Sequence, residues 1–175
     1  MINEQLKHRR SIRITGFDYS QGGAYFVTIC TKCRKQLFGK KLGDKIDLTP
    51  WGKIVEQEWL KTEKLRQNVA MDIYQIMRNH FHGIVVLTDG GGEGVLQYAP
   101  TGHGLQSPSQ NLGAIVRGFK SAVTNQIRRL ANDATLDVWQ RNYFEHVIRD
   151  DRDLEQIQEY IANNPLAWEN DEYFI

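Results

Sequence analysis

The run from residue 71 to residue 87 constrains the fold most. Residues 71–77 are rich in β-forming side chains, Arg78-Asn79 reads as a tight turn, and residues 80–87 end in the apolar stretch Ile84-Val85-Val86-Leu87. Two such runs so close in sequence predict an antiparallel hairpin. Side chains alternate along a strand, so His80 and His82 share one face and Phe81 takes the other. Two imidazoles on one face, one residue apart, are placed to share a divalent metal ion. The same spacing also suits two satisfied polar residues.

The flanking segments extend this hairpin into a fold. Residues 24–31, with Tyr25, Phe26, Val27, Thr28 and Ile29, read as a first strand. Thr49-Pro50 is an N-cap followed by proline at the first helical position. Trp51, Ile54, Val55, Trp59 and Leu65 then mark an apolar helical stripe to about residue 66. A second helix is expected over 111–130, a fourth strand over 143–149 and a third helix over 151–164, stopped by Pro165. The order is β-α-β-β-α-β plus a C-terminal helix. That is the ferredoxin-like α+β arrangement, an antiparallel sheet with two helices on one face. Residues 88–110 are a glycine-rich loop without the spacing of a phosphate-binding loop.

At 175 residues the chain is expected to form one domain, residues 1–175, preceded at 1–23 by a basic arm. No apolar run is long enough to cross a bilayer, and the first residues lack the apolar core of a signal peptide. Two cysteines do not make a disulfide framework, which points to a reducing cytoplasm. Cys30 and Cys33 form a lone C-x-x-C; a zinc site would need two further ligands, so both read as ordinary thiols.

The formal net charge is only +1, but the charge is segregated. Arg9, Arg10, Arg13, Lys32, Arg34 and Lys35 crowd the first part of the chain. Arg117, Lys120, Arg128 and Arg129 fall in a stretch free of acids, while Asp150, Asp151, Asp153, Glu155 and Glu159 gather near the end. Such blocks suit a polyanion-binding face, or equally a mixed solvated surface.

In the third helix, Leu154, Ile157 and Ile161 define an apolar face. Tyr160 lies at its border, and Asn164 follows one turn later on the same side. A border tyrosine can bury its ring and still extend its hydroxyl into a cleft. Histidines on a strand and a tyrosine on a helix suggest phosphodiester cleavage through a phosphotyrosine. A divalent metal would neutralise the phosphate, and tyrosine, with an ordinary pKa near 10, needs that field or a base to attack. Imidazole and oxygen donors suit Mg²⁺ or Mn²⁺, and zinc at least as well.

Several segments carry a more specific resemblance. His80-Phe81-His82, Leu112-Gly113-Ala114-Ile115-Val116-Arg117-Gly118-Phe119-Lys120-Ser121, the run from Trp139 to Arg149, and Tyr160-Ile161-x-x-Asn164-Pro165 resemble the REP-associated tyrosine transposases. Arg9-Arg10-Ser11-Ile12-Arg13 and the segment from Asp18 to Thr28 fit as well. These proteins are histidine–hydrophobe–histidine endonucleases with one catalytic tyrosine. The resemblance implies Mg²⁺ or Mn²⁺ on His80 and His82, with Asn164 completing the metal site. It implies Tyr160 as nucleophile, giving a 5′-phosphotyrosine and a free 3′-hydroxyl. It also implies single-stranded DNA hairpins as substrate, and a monomer or homodimer acting in the bacterial cytoplasm.

Other residues have competing roles. Arg9, Arg10, Arg13, Arg117 and Lys120 are expected to hold DNA, although Lys120 could simply snorkel. Tyr143 is a rival nucleophile, and with Trp139 it could stack on bases or pack in the core. His146 could face the metal cleft or bond the backbone, and His103 reads as surface. The alternatives to strand transfer are a ferredoxin-like binder of structured nucleic acid without chemistry, and a small zinc hydrolase that would not need Tyr160.

Overall fold

Strand β1, Gly23–Cys30, runs through the centre of a four-stranded sheet because all eight of its residues are buried and it pairs on both sides. The computed structural model describes residues 22–88 and 111–170. A short hairpin follows, β2 (Gly39–Leu42) and β3 (Lys45–Leu48), then helix α1 (Pro50–Lys64), β4 (Val69–Ile76), β5 (His80–Leu87), α2 (Leu112–Ala131), β6 (Phe144–Ile148) and α3 (Asp151–Asn163). The main sheet has the order β4-β5-β1-β6 and every pairing is antiparallel. This is the expected ferredoxin-like topology.

Local chemistry sets the helix ends. The Thr49 hydroxyl accepts from the Gly52 amide at 3.1 Å, with Pro50 just inside α1. Asn111 caps α2 by accepting from the Ala114 amide at 2.8 Å, and Asp150 caps α3 through the Asp153 amide at 2.8 Å. Asp151 and Asp153 in the first turn of α3 suit the positive end of its dipole.

The sheet has two differently built faces. On one, α1 and α2 bury Tyr25, Val27, Ile29, Phe81 and Val85 beneath Trp59, Ile115, Phe119 and Val123. Trp59 sits 4.5 Å from Phe81 and 5.2 Å from Phe119, centroid to centroid. Gly83 makes this possible, since a Cβ there would come within 2.7 Å of Trp59 Cζ2. On the other face, α3 lays Leu154 and Ile161 over Ala24, Phe26, Ile84, Val86 and Ile148. Gln158 fastens α3 to the edge strand β4 by donating to Asp72 at 2.6 Å.

The β2–β3 hairpin is an addition to the expected plan. It turns at Gly43, whose φ of 59° is the left-handed conformation glycine adopts without strain. Cys30 and Cys33 are both free thiols, one buried and one exposed.

Candidate active site

The α3 face changes character along β5. Ile84 and Val86 belong to the apolar cluster, whereas His80 and His82, on the same side, are completely buried and polar. Antiparallel register sets Cys30 opposite His80 and Thr28 opposite His82. The two rings meet edge to face, with centroids 4.5 Å apart and their Nε2 atoms 3.0 Å apart. Behind them, His80 Nδ1–H donates to Asn79 Oδ1 at 2.8 Å, and His82 Nδ1 lies 2.8 Å from Thr28 Oγ1. Burial is the main cause that lowers both imidazoles. His80 falls to about 3, with a smaller upward pull from the Asn164 amide and a downward one from Arg34. His82 falls well below its ordinary value through burial and then through His80. Both rings are therefore neutral near pH 7, the form that ligates metal.

Tyr160 reaches this pair from α3. Its hydroxyl is 3.5 Å from His82 Nε2, a contact too long to count as a strong hydrogen bond. Its ring packs edge-on against Phe26 at 6.0 Å and lies 5.2 Å from the His82 ring, while Phe26 stacks on His82 at 5.5 Å. The residue stays 43% exposed, so the hydroxyl meets both solvent and the imidazoles. Beside it opens a cavity of about 330 Å³ lined by Gln156, Glu159, Tyr160, Asn163, Asn164 and Ala167. Asn164 is buried, and its Oδ1 makes no hydrogen bond of good geometry. An amide oxygen held only by its weak pull on His80 keeps a lone pair for a ligand.

These atoms fit a divalent cation. The two Nε2 atoms stand 3.0 Å apart, close enough for both imidazoles to reach one shared ion. The buried Asn164 oxygen is a candidate third donor. Among the described residues no three His, Cys, Asp or Glu side chains cluster as a metal site. The donor set here is two imidazoles and an amide, which leaves positions open for phosphate oxygens.

The structure brings together His80, His82, Tyr160 and Asn164, and it separates the other residues singled out from the sequence. Tyr143 packs against the α1/α2 core, across the sheet from the histidines. Trp139 is buried in that core, 5.0 Å from Phe38 and 6.0 Å from Phe119. His146 does lie on the α3 side, but its Nε2 bonds the Asp153 carboxylate at 2.9 Å rather than the backbone. Arg117 is exposed on α2. Lys120 Nζ donates to the carbonyls of Gln140, Arg141 and Asn142 at 2.6, 3.3 and 3.4 Å, so it braces that loop. Burial lowers its ammonium to about 8, with Cys30 pulling the other way. Arg9, Arg10, Arg13 and His103 lie outside the described residues.

Four neighbours of the pair were not evident from the sequence: Thr28, Asn79, Phe26 and Trp168. Trp168 is buried after α3 and stacks on His80, centroids 6.0 Å apart at 19°. Alternation in β1 places Phe26 and Thr28 on one face, yet only the β1–β5 register shows that this is the histidine face.

The chain matches a known protein along almost its full length. An uncharacterized protein of Haemophilus influenzae is 40% identical over 176 residues, spanning 99% of this chain and 97% of that protein. The two chains belong to one family. No protein-family model matches the chain. A solved structure of a REP-associated tyrosine transposase bound to a REP hairpin is similar, with a TM-score of 0.61 and 20% identity over 90% of this chain and 74% of the other. At that identity the likeness is one of fold. The fold expected from the sequence is therefore also the fold of that structure.

Proposed function

We propose that this protein is a DNA strand-transfer enzyme of the REP-associated tyrosine transposase type. It cleaves and rejoins single-stranded hairpin DNA through a 5′-phosphotyrosine on Tyr160. The observation that carries this reading is the Tyr160 hydroxyl 3.5 Å from one of two facing, buried and neutral imidazoles. A divalent cation, Mg²⁺ or Mn²⁺, held by His80, His82 and Asn164, would supply charge neutralisation for the scissile phosphate. Tyr160 attacks phosphorus and gives up its proton to solvent, which its exposure allows. The bond from phosphorus to the 3′-oxygen breaks, and that oxygen leaves as a hydroxyl after taking up a proton. Attack of a 3′-hydroxyl on the phosphotyrosine reverses the step and restores the tyrosine. Phe26 fixes the angle of the Tyr160 ring, and the buried face keeps the imidazoles unprotonated.

The test uses the full chain, 3′-labelled single-stranded hairpin DNA and Mn²⁺ or Mg²⁺. A labelled band carrying protein on a denaturing gel is the expected product, and it is lost in excess EDTA. Binding without any adduct would favour the non-catalytic hairpin binder. Arg9, Arg10, Arg13 and Arg117 are proposed to hold phosphates. Neutralising the three arginines of the arm is expected to weaken hairpin affinity and reduce the slope of log affinity against log salt by roughly 2. An unchanged slope places the phosphate contacts elsewhere.

A further inference from the structure

The two imidazoles are held by different partners. Asn79 Oδ1 can only accept, so the 2.8 Å bond fixes the proton of His80 on Nδ1 and leaves a lone pair on Nε2. That lone pair faces His82 Nε2 at 3.0 Å. Without a cation between them, His82 Nε2 must carry a proton and donate it. Its Nδ1 is then unprotonated and accepts from the Thr28 hydroxyl at 2.8 Å. In that tautomer only one of the two Nε2 atoms could bind a metal. For both to ligate, the His82 proton must sit on Nδ1, where it needs an acceptor.

We propose that Thr28 is a positioning residue that makes His82 a ligand by reversing its hydrogen bond. Its hydroxyl donates to Nδ1 when the imidazoles bond each other and accepts from Nδ1–H when a divalent cation lies between them. His82 remains neutral throughout, releasing one proton from Nε2 and taking one up on Nδ1. Thr28 is suited to this by chemistry and place. A hydroxyl both donates and accepts, the residue is buried at 2% exposure, and the β1–β5 register holds it opposite His82. Asn79, by contrast, leaves His80 in one tautomer in both states. The inference rests on the divalent-metal reading of the site.

The tautomers can be read directly from two-bond nitrogen–proton correlation spectra of the ¹⁵N-labelled full chain, first in EDTA and then in Mg²⁺. His82 is expected to carry its proton on Nε2 in EDTA and on Nδ1 with Mg²⁺, while His80 keeps Nδ1–H in both. Mn²⁺ affinity is measured alongside by electron paramagnetic resonance. Thr28→Val keeps the shape and removes the hydroxyl, and is expected to weaken Mn²⁺ binding by about tenfold or more, whereas Thr28→Ser stays within about twofold. A His82 proton on Nδ1 already in EDTA, or Thr28→Val binding Mn²⁺ as the wild type does, overturns the role of Thr28 alone. A wild type that binds no Mn²⁺ overturns the metal reading and this inference with it. Should Thr28→Val fail to fold, the wild-type spectra and Thr28→Ser still decide.

Discussion

The two faces of the sheet are made from the same strands and do different work. On the α1/α2 face, β5 contributes Phe81, Gly83, Val85 and Leu87 to a core dense with aromatic rings. On the α3 face, the alternate residues start apolar at Val86 and Ile84 and become the His82–His80 pair beneath Tyr160. The first face takes only apolar side chains and a glycine from β5. The second buries two imidazoles and an amide oxygen, groups that cost stability when desolvated. One strand thus serves stability on one side and candidate chemistry on the other, because successive side chains leave it in opposite directions.

The sharpest way to break this division is to truncate neighbours on β5. Phe81→Ala is expected to cost about 3–5 kcal/mol in denaturant unfolding, as large aromatic-to-alanine changes in a packed core do. His82→Ala is expected to cost less, about 1–3 kcal/mol, mainly from the hydrogen-bond partners it strands, and to abolish Mn²⁺ binding. A larger stability loss for His82→Ala than for Phe81→Ala would contradict the division.

Gly83 probes the same contrast from inside the core. Its added Cβ would come within 2.7 Å of Trp59 Cζ2, so Gly83→Ala should cost about 1–3 kcal/mol through overpacking. Because that methyl points away from the histidines, Mn²⁺ affinity should hold. An altered affinity would show that the two faces are mechanically coupled.

A last difference is expected in the pH dependence of stability in EDTA. The His80 pKa is held near 3 in the folded chain by burial, against about 6.5 when unfolded. Between those values the unfolded chain binds the extra proton, so stability is complete above about pH 6.5 and falls as pH drops toward 3. Each histidine contributes a slope of at most about 1.4 kcal/mol per pH unit. His80→Gln should flatten the curve across that window. An unchanged slope would mean that His80 titrates normally in the folded protein.

Much of this was legible in local sequence rules. The His80–Leu87 strand, the turn before it, the Thr49-Pro50 start of α1 and the spans of α2 and α3 each depend on residues a few positions apart. The border position of Tyr160 followed from helical periodicity. The β2–β3 hairpin was missed although Gly43-Asp44 is a turn signal, because strands of four residues show too little alternation. Thr28 could not be paired with His82 without the register. Nor could a sequence show that Lys120 turns its ammonium onto three carbonyls, or that Trp168 folds back over His80. Such contacts depend on how the elements dock.

One tyrosine on each face offers the most direct test of the whole account. Tyr160 borders the imidazoles, while Tyr143 packs on the α1/α2 side. With hairpin DNA and Mn²⁺, Tyr160→Phe should fold to within about 1 kcal/mol of the wild type, still bind the hairpin, and form no covalent adduct. Tyr143→Phe should form it as the wild type does. An adduct that persists in Tyr160→Phe and disappears in Tyr143→Phe would contradict the account and move the chemistry to the other face.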